Sequence, residues 1–340
     1  LMFLKSLILY EGTHMSTDAS TDPVIVATAR SPIGRAFKGS MAEIRPGDLS
    51  AQIVNRVLEK VPELPTEEIE DLIMGTGSPG GEQGFNIGRA TAVLAGLGDV
   101  PGTTVNRYCS SSLQTIRMAA HAIKAGEGDA FIAAGVECVS RYGKGNADSL
   151  PDTANPIFKA PGERSKVRAE GGHGDWTPPD GLPDLFIAMG QTAENVAELK
   201  GVSREAMDEY GVMSQNKAEA AISRGFFEMD ITPVTMPDGT VVTTDDGPRA
   251  GVTLDAVSQL NPVFRPDGRV TAGNACPLND GAAAVVVMSR KRAEELGITP
   301  LARIIASSVS ALNPEIMGLG PIEAIKRVMA RANMTMSDID

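Results

Sequence analysis

The chain has 340 residues, 42% hydrophobic and 22% charged, which suits one large α/β unit or two domains and is enough to bury a sizeable core. A formal net charge of −12 argues against nucleic acid or an anionic membrane as the main partner, while leaving room for a local basic patch that meets a phosphorylated ligand. Three cysteines (Cys109, Cys138, Cys276) and three histidines (His14, His121, His173) show no CxxC or HxxxH spacing, so no disulfide framework and no metal site are expected, and a reducing, cytoplasmic compartment fits.

Residues 1–10 are apolar around Lys5, but shorter than the ~20 residues of a membrane helix. Glu11-Gly12-Thr13-His14 follows in place of a small-residue signal-peptide cleavage site, so residues 1–22 read as a tail, Met15 as a candidate start, and no membrane span is expected. Residues 24–29 then form a short apolar run stopped by Ser31-Pro32-Ile33-Gly34, a buried strand and turn. Leu49, Ile53, Val54 and Val57 recur at helical spacing after Pro46, and residues 66–70 predict one helical turn before a strand over 71–75. A helix over 86–95 and a strand over 103–106 follow. Next come a helix over 111–125 and a strand over 129–136, an alternation that predicts an α/β layered fold.

Between the strand over 103–106 and the helix over 111–125 sits Asn106-Arg107-Tyr108-Cys109-Ser110-Ser111-Ser112, a cysteine at the head of a helix. Unpaired N–H groups and the positive dipole end favour thiolate there, which makes Cys109 a candidate nucleophile; a small buried core cysteine is the plainer alternative. From 141 to 268 the composition turns rich in Gly and Pro, with one strong helix over 203–223, and this stretch reads as an inserted subdomain carrying ligand contacts. An apolar strand over 282–288 returns the chain to its core.

The first elements have an echo. A strand beginning at Pro23, a helix after Pro46 and Glu68-Ile69-Glu70 correspond to a strand over 300–306, a helix after Pro321 and Ser337-Asp338-Ile339-Asp340. The expected organisation is therefore a tail over 1–22, a first half over 23–140 with 269–291, an insertion over 141–268, and the start of a second half over 292–340, left incomplete. Two ordinary βα units that happen to look alike are the alternative.

With a duplicated α/β half, an insertion and a cysteine at a helix start, the chain resembles the thiolase family from about Pro23 onward. The resemblance rests on the Cys109 block, on residues 189–197 (Met189-Gly190-Gln191-Thr192-Ala193-Glu194-Asn195-Val196-Ala197), and on Ser214-Gln215-Asn216-Lys217-Ala218. Thr271-Ala272-Gly273-Asn274-Ala275 and Asn279-Asp280-Gly281-Ala282-Ala283 complete it, and in this order the motifs are highly specific. It implies a thiolase-like duplicated α-β-α layered fold, and an acyltransferase that cleaves 3-oxoacyl-CoA with CoA through an acyl-Cys109 intermediate, as in fatty acid β-oxidation. The Cys109 backbone N–H would donate to the acyl oxygen. Carried over by motif, the CoA contacts fall on Met189, Arg249, Phe264, Ala272 and Cys276. Coenzyme A enters as co-substrate with no bound cofactor, acyl-CoA is the partner, and a homodimer or homotetramer is implied.

Two departures stand out. Cys276 occupies a position where the family usually has Ser, and Ala188 precedes Met189 where the biosynthetic branch carries His, which points to the degradative branch. The family's second half also supplies Asn-Glu-Ala-Phe, Gly-His-Pro and late Cys-x-Gly blocks, and the sequence stops at Asp340 before them, so the chain reads as a C-terminally truncated thiolase with little turnover. His121 does not replace the missing base, since twelve helical residues place it ~18 Å from Cys109, and His173 reads as part of a solvated loop. A catalytically inactive thiolase-like protein binding acyl-CoA or lipid, and a decarboxylating ketoacyl synthase, are the alternatives.

Overall fold

The computed structural model describes residues 21–144 and 155–340. The 1–22 tail thus lies almost wholly outside the described residues, as does part of the 141–268 insertion. In chain order the first strands and helices are β1 (Pro23–Arg30), β2 (Gly34–Arg35), α1 (Pro46–Leu58), β3 (Asp71–Gly75), α2 (Ile87–Leu94), β4 (Gly102–Val105), α3 (Ser111–Ala125) and β5 (Ala130–Cys138). The middle of the chain holds α4 (Lys159–Ala169), α5 (Met189–Lys200), α6 (Arg204–Ser223), β6 (Val234–Thr235), β7 (Val241–Val242) and α7 (Leu254–Ser258). Then follow β8 (Asn279–Ser289), α8 (Arg290–Glu295), β9 (Ala302–Arg303) and α9 (Gly320–Ala332).

The main sheet runs β4-β3-β5-β8-β1-β9, with β2 paired to the start of β8. β3 is parallel to both β4 and β5, whereas β8 is antiparallel to β5 on one side and β1 on the other. A strand met some 140 residues after β5 therefore lies at the sheet's centre, in register from Ala130 opposite Met288 to Cys138 opposite Asp280. β5 up to Val136 and β8 from Val286 to Met288 are buried on both faces and apolar without a break, as central strands require, while the start of β8 opens toward solvent.

Side chains alternate across the sheet. On one face Ile132, Ala134, Val286 and Met288 pack with Leu49, Ile53, Val54 and Val57 of α1. On the other, Ile73, Phe131, Ala133 and Val287 pack with Ala119 and Ile123 of α3. Helices on both faces of a mixed sheet form the α/β layering expected from the sequence.

Two local expectations change. The strand over 300–306 shrinks to Ala302–Arg303, because it lies at the sheet edge and bonds only to the first residues of β1, with Leu301 N and Ile304 N donating to Ile25 O (2.8 Å) and Pro23 O (2.9 Å). The insertion holds α4, α5 and α7 besides the expected α6. α5 and α4 were hidden by weak apolar periodicity: α5 buries polar Gln191, Thr192, Glu194 and Asn195, and α4 buries only Pro161.

Candidate active site

The turn that carries Cys109 begins where β4 ends. Arg107 has φ −141° and ψ 42°, Tyr108 takes φ 46°, and a short 3-10 turn over Tyr108–Ser110 carries Cys109 before α3 starts at Ser111. A left-handed backbone on an aromatic residue costs roughly 1–2 kcal/mol, so neighbouring contacts must hold it. Ser111, buried, accepts from Arg107 N (2.8 Å) and places its hydroxyl 2.6 Å from Tyr108 O and 3.2 Å from Thr76 O. Asn106 accepts from Tyr108 N (2.9 Å) and donates to Gly77 O (3.0 Å). Asn106 and Ser111 are thus the fasteners of the turn.

Cys109 is exposed on a cleft of about 690 Å³ at the ends of β3, β5 and β8. Its titratable lining consists of Arg30, Tyr108, Cys109, Glu137, Tyr142 and Asp280. Glu137, at the end of β5, accepts from Gly77 N (2.6 Å), Ser78 N (3.3 Å), Thr76 Oγ1 (3.3 Å), Gln83 Nε2 (2.7 Å) and the Tyr142 hydroxyl. Gln83 in turn accepts from Cys138 N (2.8 Å). Asp280, fully buried, accepts from Ser140 N (2.9 Å) and Ser140 Oγ (2.5 Å). Burial pushes the Asp280 carboxyl up, opposed by those hydrogen bonds. Burial, then the bond to Glu137, raises the Tyr142 phenol, which stays a proton donor.

The other two thiols differ. Cys138 is buried, and burial together with Asp280 and Glu137 drives its thiol far above the ordinary range, so it remains protonated and unreactive. Cys276 is exposed, on the loop that leads into β8.

Of the expected CoA contacts, Phe264 packs on the start of α5, where a Cβ on Gly190 would lie 2.1 Å from its ring and Gln191 Nε2 donates to Phe264 O (2.6 Å), while Met189, the first residue of that helix, is exposed. Ala272 and Cys276 share one exposed loop, and Arg249, exposed, is fixed through its backbone N–H to Gln215 Oε1 (3.0 Å). None of these five lines the Cys109 cleft. His121 is exposed on α3, and burial plus the charges of Arg117, Lys124 and Arg331 lower its pKa. His173 is exposed with Nε2 2.7 Å from Val167 O. Cavity size does not identify the site: a larger space of about 870 Å³, bounded by α4, α5 and Glu315, contains neither Cys109 nor any expected CoA contact.

Glu137 and Tyr142, which line the cleft, and Gln83, buried behind Glu137, are residues that reading the sequence did not single out. A lone carboxylate in the apolar run Phe131-Ile132-Ala133-Ala134-Gly135-Val136-Glu137-Cys138-Val139 is the signal that could have found the first; nothing local marks the other two. Among the described residues no group of three or more His, Cys, Asp or Glu could hold a metal ion, and no helix is long and apolar enough to cross a membrane.

Residues 23–291 match the family model for the thiolase N-terminal domain. The chain is 40% identical to a beta-ketoadipyl-CoA thiolase of Acinetobacter baylyi, over 93% of this chain and 78% of that protein. It is 42% identical to an acetyl-CoA acetyltransferase of Cupriavidus necator, over 94% of this chain and 79% of that one. Among solved structures, the dimeric peroxisomal thiolase of Saccharomyces cerevisiae superposes with a TM-score of 0.82 at 32% identity, covering 96% of this chain and 79% of its own. An acetyl-CoA acetyltransferase of Bacillus anthracis does so with a TM-score of 0.78 at 33% identity, covering 94% and 78%. A family-model match over residues 23–291, with relatives at 40–42% identity over most of the chain, establishes that this chain belongs to the thiolase family.

Proposed function

We propose that the chain is a thiolase acyltransferase of the degradative type, cleaving 3-oxoacyl-CoA with CoA to acetyl-CoA and a shortened acyl-CoA, as in fatty acid β-oxidation. The observation that carries this reading is an exposed Cys109 in a fastened turn at the head of α3, facing an open cleft. The Cys109 thiolate attacks the 3-oxo carbon, the bond between C2 and C3 breaks, and its electron pair leaves as the acetyl-CoA enolate, which takes up one proton. The acyl group now sits on Cys109 sulfur as a thioester. A second CoA thiolate attacks that carbonyl, the bond to Cys109 sulfur breaks, and the Cys109 thiolate is restored. The Cys109 backbone N–H donates to the acyl oxygen as negative charge develops on it.

Met189 and Phe264 supply apolar surface for pantetheine, Arg249 meets the nucleotide end, and Ala272 and Cys276 border the entry. Placement supports Ala272 and Cys276: their loop runs directly into Asn279, Asp280, Gly281, Ala282 and Ala283, which line the Cys109 cleft. Small or flexible residues on that loop suit a channel that ends at the nucleophile. A homodimer or homotetramer in the cytoplasm completes the proposal.

Incubation with acetyl-CoA, followed by peptide mass spectrometry and measurement of released CoA, tests it. An acetyl group on Cys109 with stoichiometric CoA, absent in Cys109→Ala, is the expected result. Folded wild-type protein that releases no CoA and carries no acetyl group would overturn the reading.

A further inference from the structure

We infer that Glu137 is a positioning residue for Cys109, acting through the 76–78 loop; this rests on Cys109 being the nucleophile, as proposed above. Five donors converge on the Glu137 carboxylate, three of them from Thr76, Gly77 and Ser78. An acceptor with two oxygens satisfies such a set, whereas a carboxamide would turn N–H groups toward donors. The loop it gathers is the wall on which the nucleophile turn is built. Thr76 N donates to Val105 O (3.1 Å), Gly77 O accepts from Asn106 Nδ2 (3.0 Å), and Thr76 O lies 3.2 Å from Ser111 Oγ. A Cβ on Gly77 would be 3.5 Å from the Tyr108 carbonyl, so loop and turn are in contact.

The chain of support therefore runs from Glu137 to the loop, from the loop to Asn106 and Ser111, and from these to the left-handed Tyr108 that aims Cys109. Glu137 also closes the end of β5, and for that alone one or two of its bonds would suffice. Convergence on one loop, and that loop's contacts with both flanks of Cys109, distinguish positioning from simple closure. A misplacement of about 1 Å at a reacting atom costs up to ~10²-fold in rate.

Two variants test this, Glu137→Gln and Asn106→Ala, the second cutting the loop's bond to Asn106 while leaving the carboxylate, its five donors and the Ser111 contact in place. The readout is the saturation curve for acetylation of Cys109 by acetyl-CoA. Expected in both variants is a maximal rate roughly 10- to 100-fold lower, with the half-saturating acetyl-CoA concentration and the final acetyl-enzyme per protein both unchanged. Retained amplitude shows that the protein is folded, and the fall in rate without a shift in half-saturation is not what general destabilisation produces. If Glu137→Gln does not fold, Asn106→Ala decides. Wild-type rates in either folded variant would overturn the inference.

Should the wild type accept no acetyl group, the acyltransferase reading fails by itself. Positioning is then read from iodoacetamide alkylation, with exposed Cys276 in the same digest as the internal standard. A lower Cys109 to Cys276 ratio in both variants upholds it, and an unchanged ratio overturns it.

Discussion

Gly135 and Ser112 touch across the junction of β5 and α3: a Cβ built on Gly135 would lie 1.8 Å from Ser112 Oγ. Gly75, on the neighbouring β3, is tighter in kind, since its Cβ would meet backbone atoms, 2.6 Å from Ser111 C and 2.7 Å from Ser112 N. The first turn of α3 is seated directly on two strand ends that only glycine permits. Gly135→Ala displaces a hydroxyl that can rotate, whereas Gly75→Ala must push the helix backbone, so overpacking of about 1–3 kcal/mol is expected with Gly75→Ala the worse. Gly98→Ala, with nothing within 4 Å of its Cβ, serves as the neutral comparison. Thermal melts should rank wild type and Gly98→Ala above Gly135→Ala, and Gly75→Ala lowest, with Cys109 acetylation falling in the same order.

The three thiols should separate by environment. Iodoacetamide on the native protein is expected to label exposed Cys109 and Cys276 and to leave Cys138 untouched, because burial beside Asp280 and Glu137 keeps that thiol protonated. Unfolding in urea should release the third site. Mass spectrometry of the digests checks this, and native labelling of Cys138 at a rate comparable with Cys276 would contradict the structure.

How much of this was legible follows from how local each feature is. Cys109 and the helix behind it were readable because a strand, a cysteine, three serines and a run of helix formers are adjacent in the chain, and helix-terminus physics acts over that distance. The central place of β8 was readable only as a return of apolar residues after the insertion; pairing with both β5 and β1 is a long-range fact that no window of sequence contains. Glu137 shows the limit most clearly, since its partners come from 76–78, 83 and 142 and converge only in the fold. α5 escaped for a different reason: its buried face is polar, so burial and apolar periodicity point in different directions.

That polar face centres on Arg265, which is buried and donates to Gln191 Oε1 (2.7 Å), Asn195 Oδ1 (2.7 Å) and Glu198. Burial lowers its pKa, with Glu198 pulling the other way. Arg265→Met keeps most of the volume but strands two amide oxygens and removes one of the two arginines on Glu198, the other being Arg168. A loss of about 3 kcal/mol in urea melts is expected. Because Gln191 also holds the Phe264 backbone, the half-saturating acetyl-CoA concentration should rise more than the maximal acetylation rate falls. An unchanged half-saturation would detach Phe264 from CoA binding.

Glu82 provides a test in pH. Its carboxylate is bonded to Arg141, including a contact of 3.0 Å from Nη2, and to Arg45, and it stands next to the Gln83 that donates to Glu137. The Arg141 hydrogen bond holds the Glu82 carboxyl below its ordinary value, burial opposes this, and the charges of Arg141 and Arg45 reinforce it. A folded value depressed below the unfolded one means stability that is present above the unfolded value, about 4.3 for glutamate, and that is lost as pH falls through the folded value. Glu82→Gln should therefore melt below wild type at pH 7, by on the order of 1 kcal/mol for a partly exposed pair. The gap should close as the pH is lowered beneath that range, because wild type then carries a neutral side chain as well. Asp280, raised by burial, titrates in the opposite sense but is present in both proteins and cancels from the difference. A gap that persisted undiminished in acid would show that Glu82 contributes through shape or packing, and that its two arginines do not stabilise the fold through its charge.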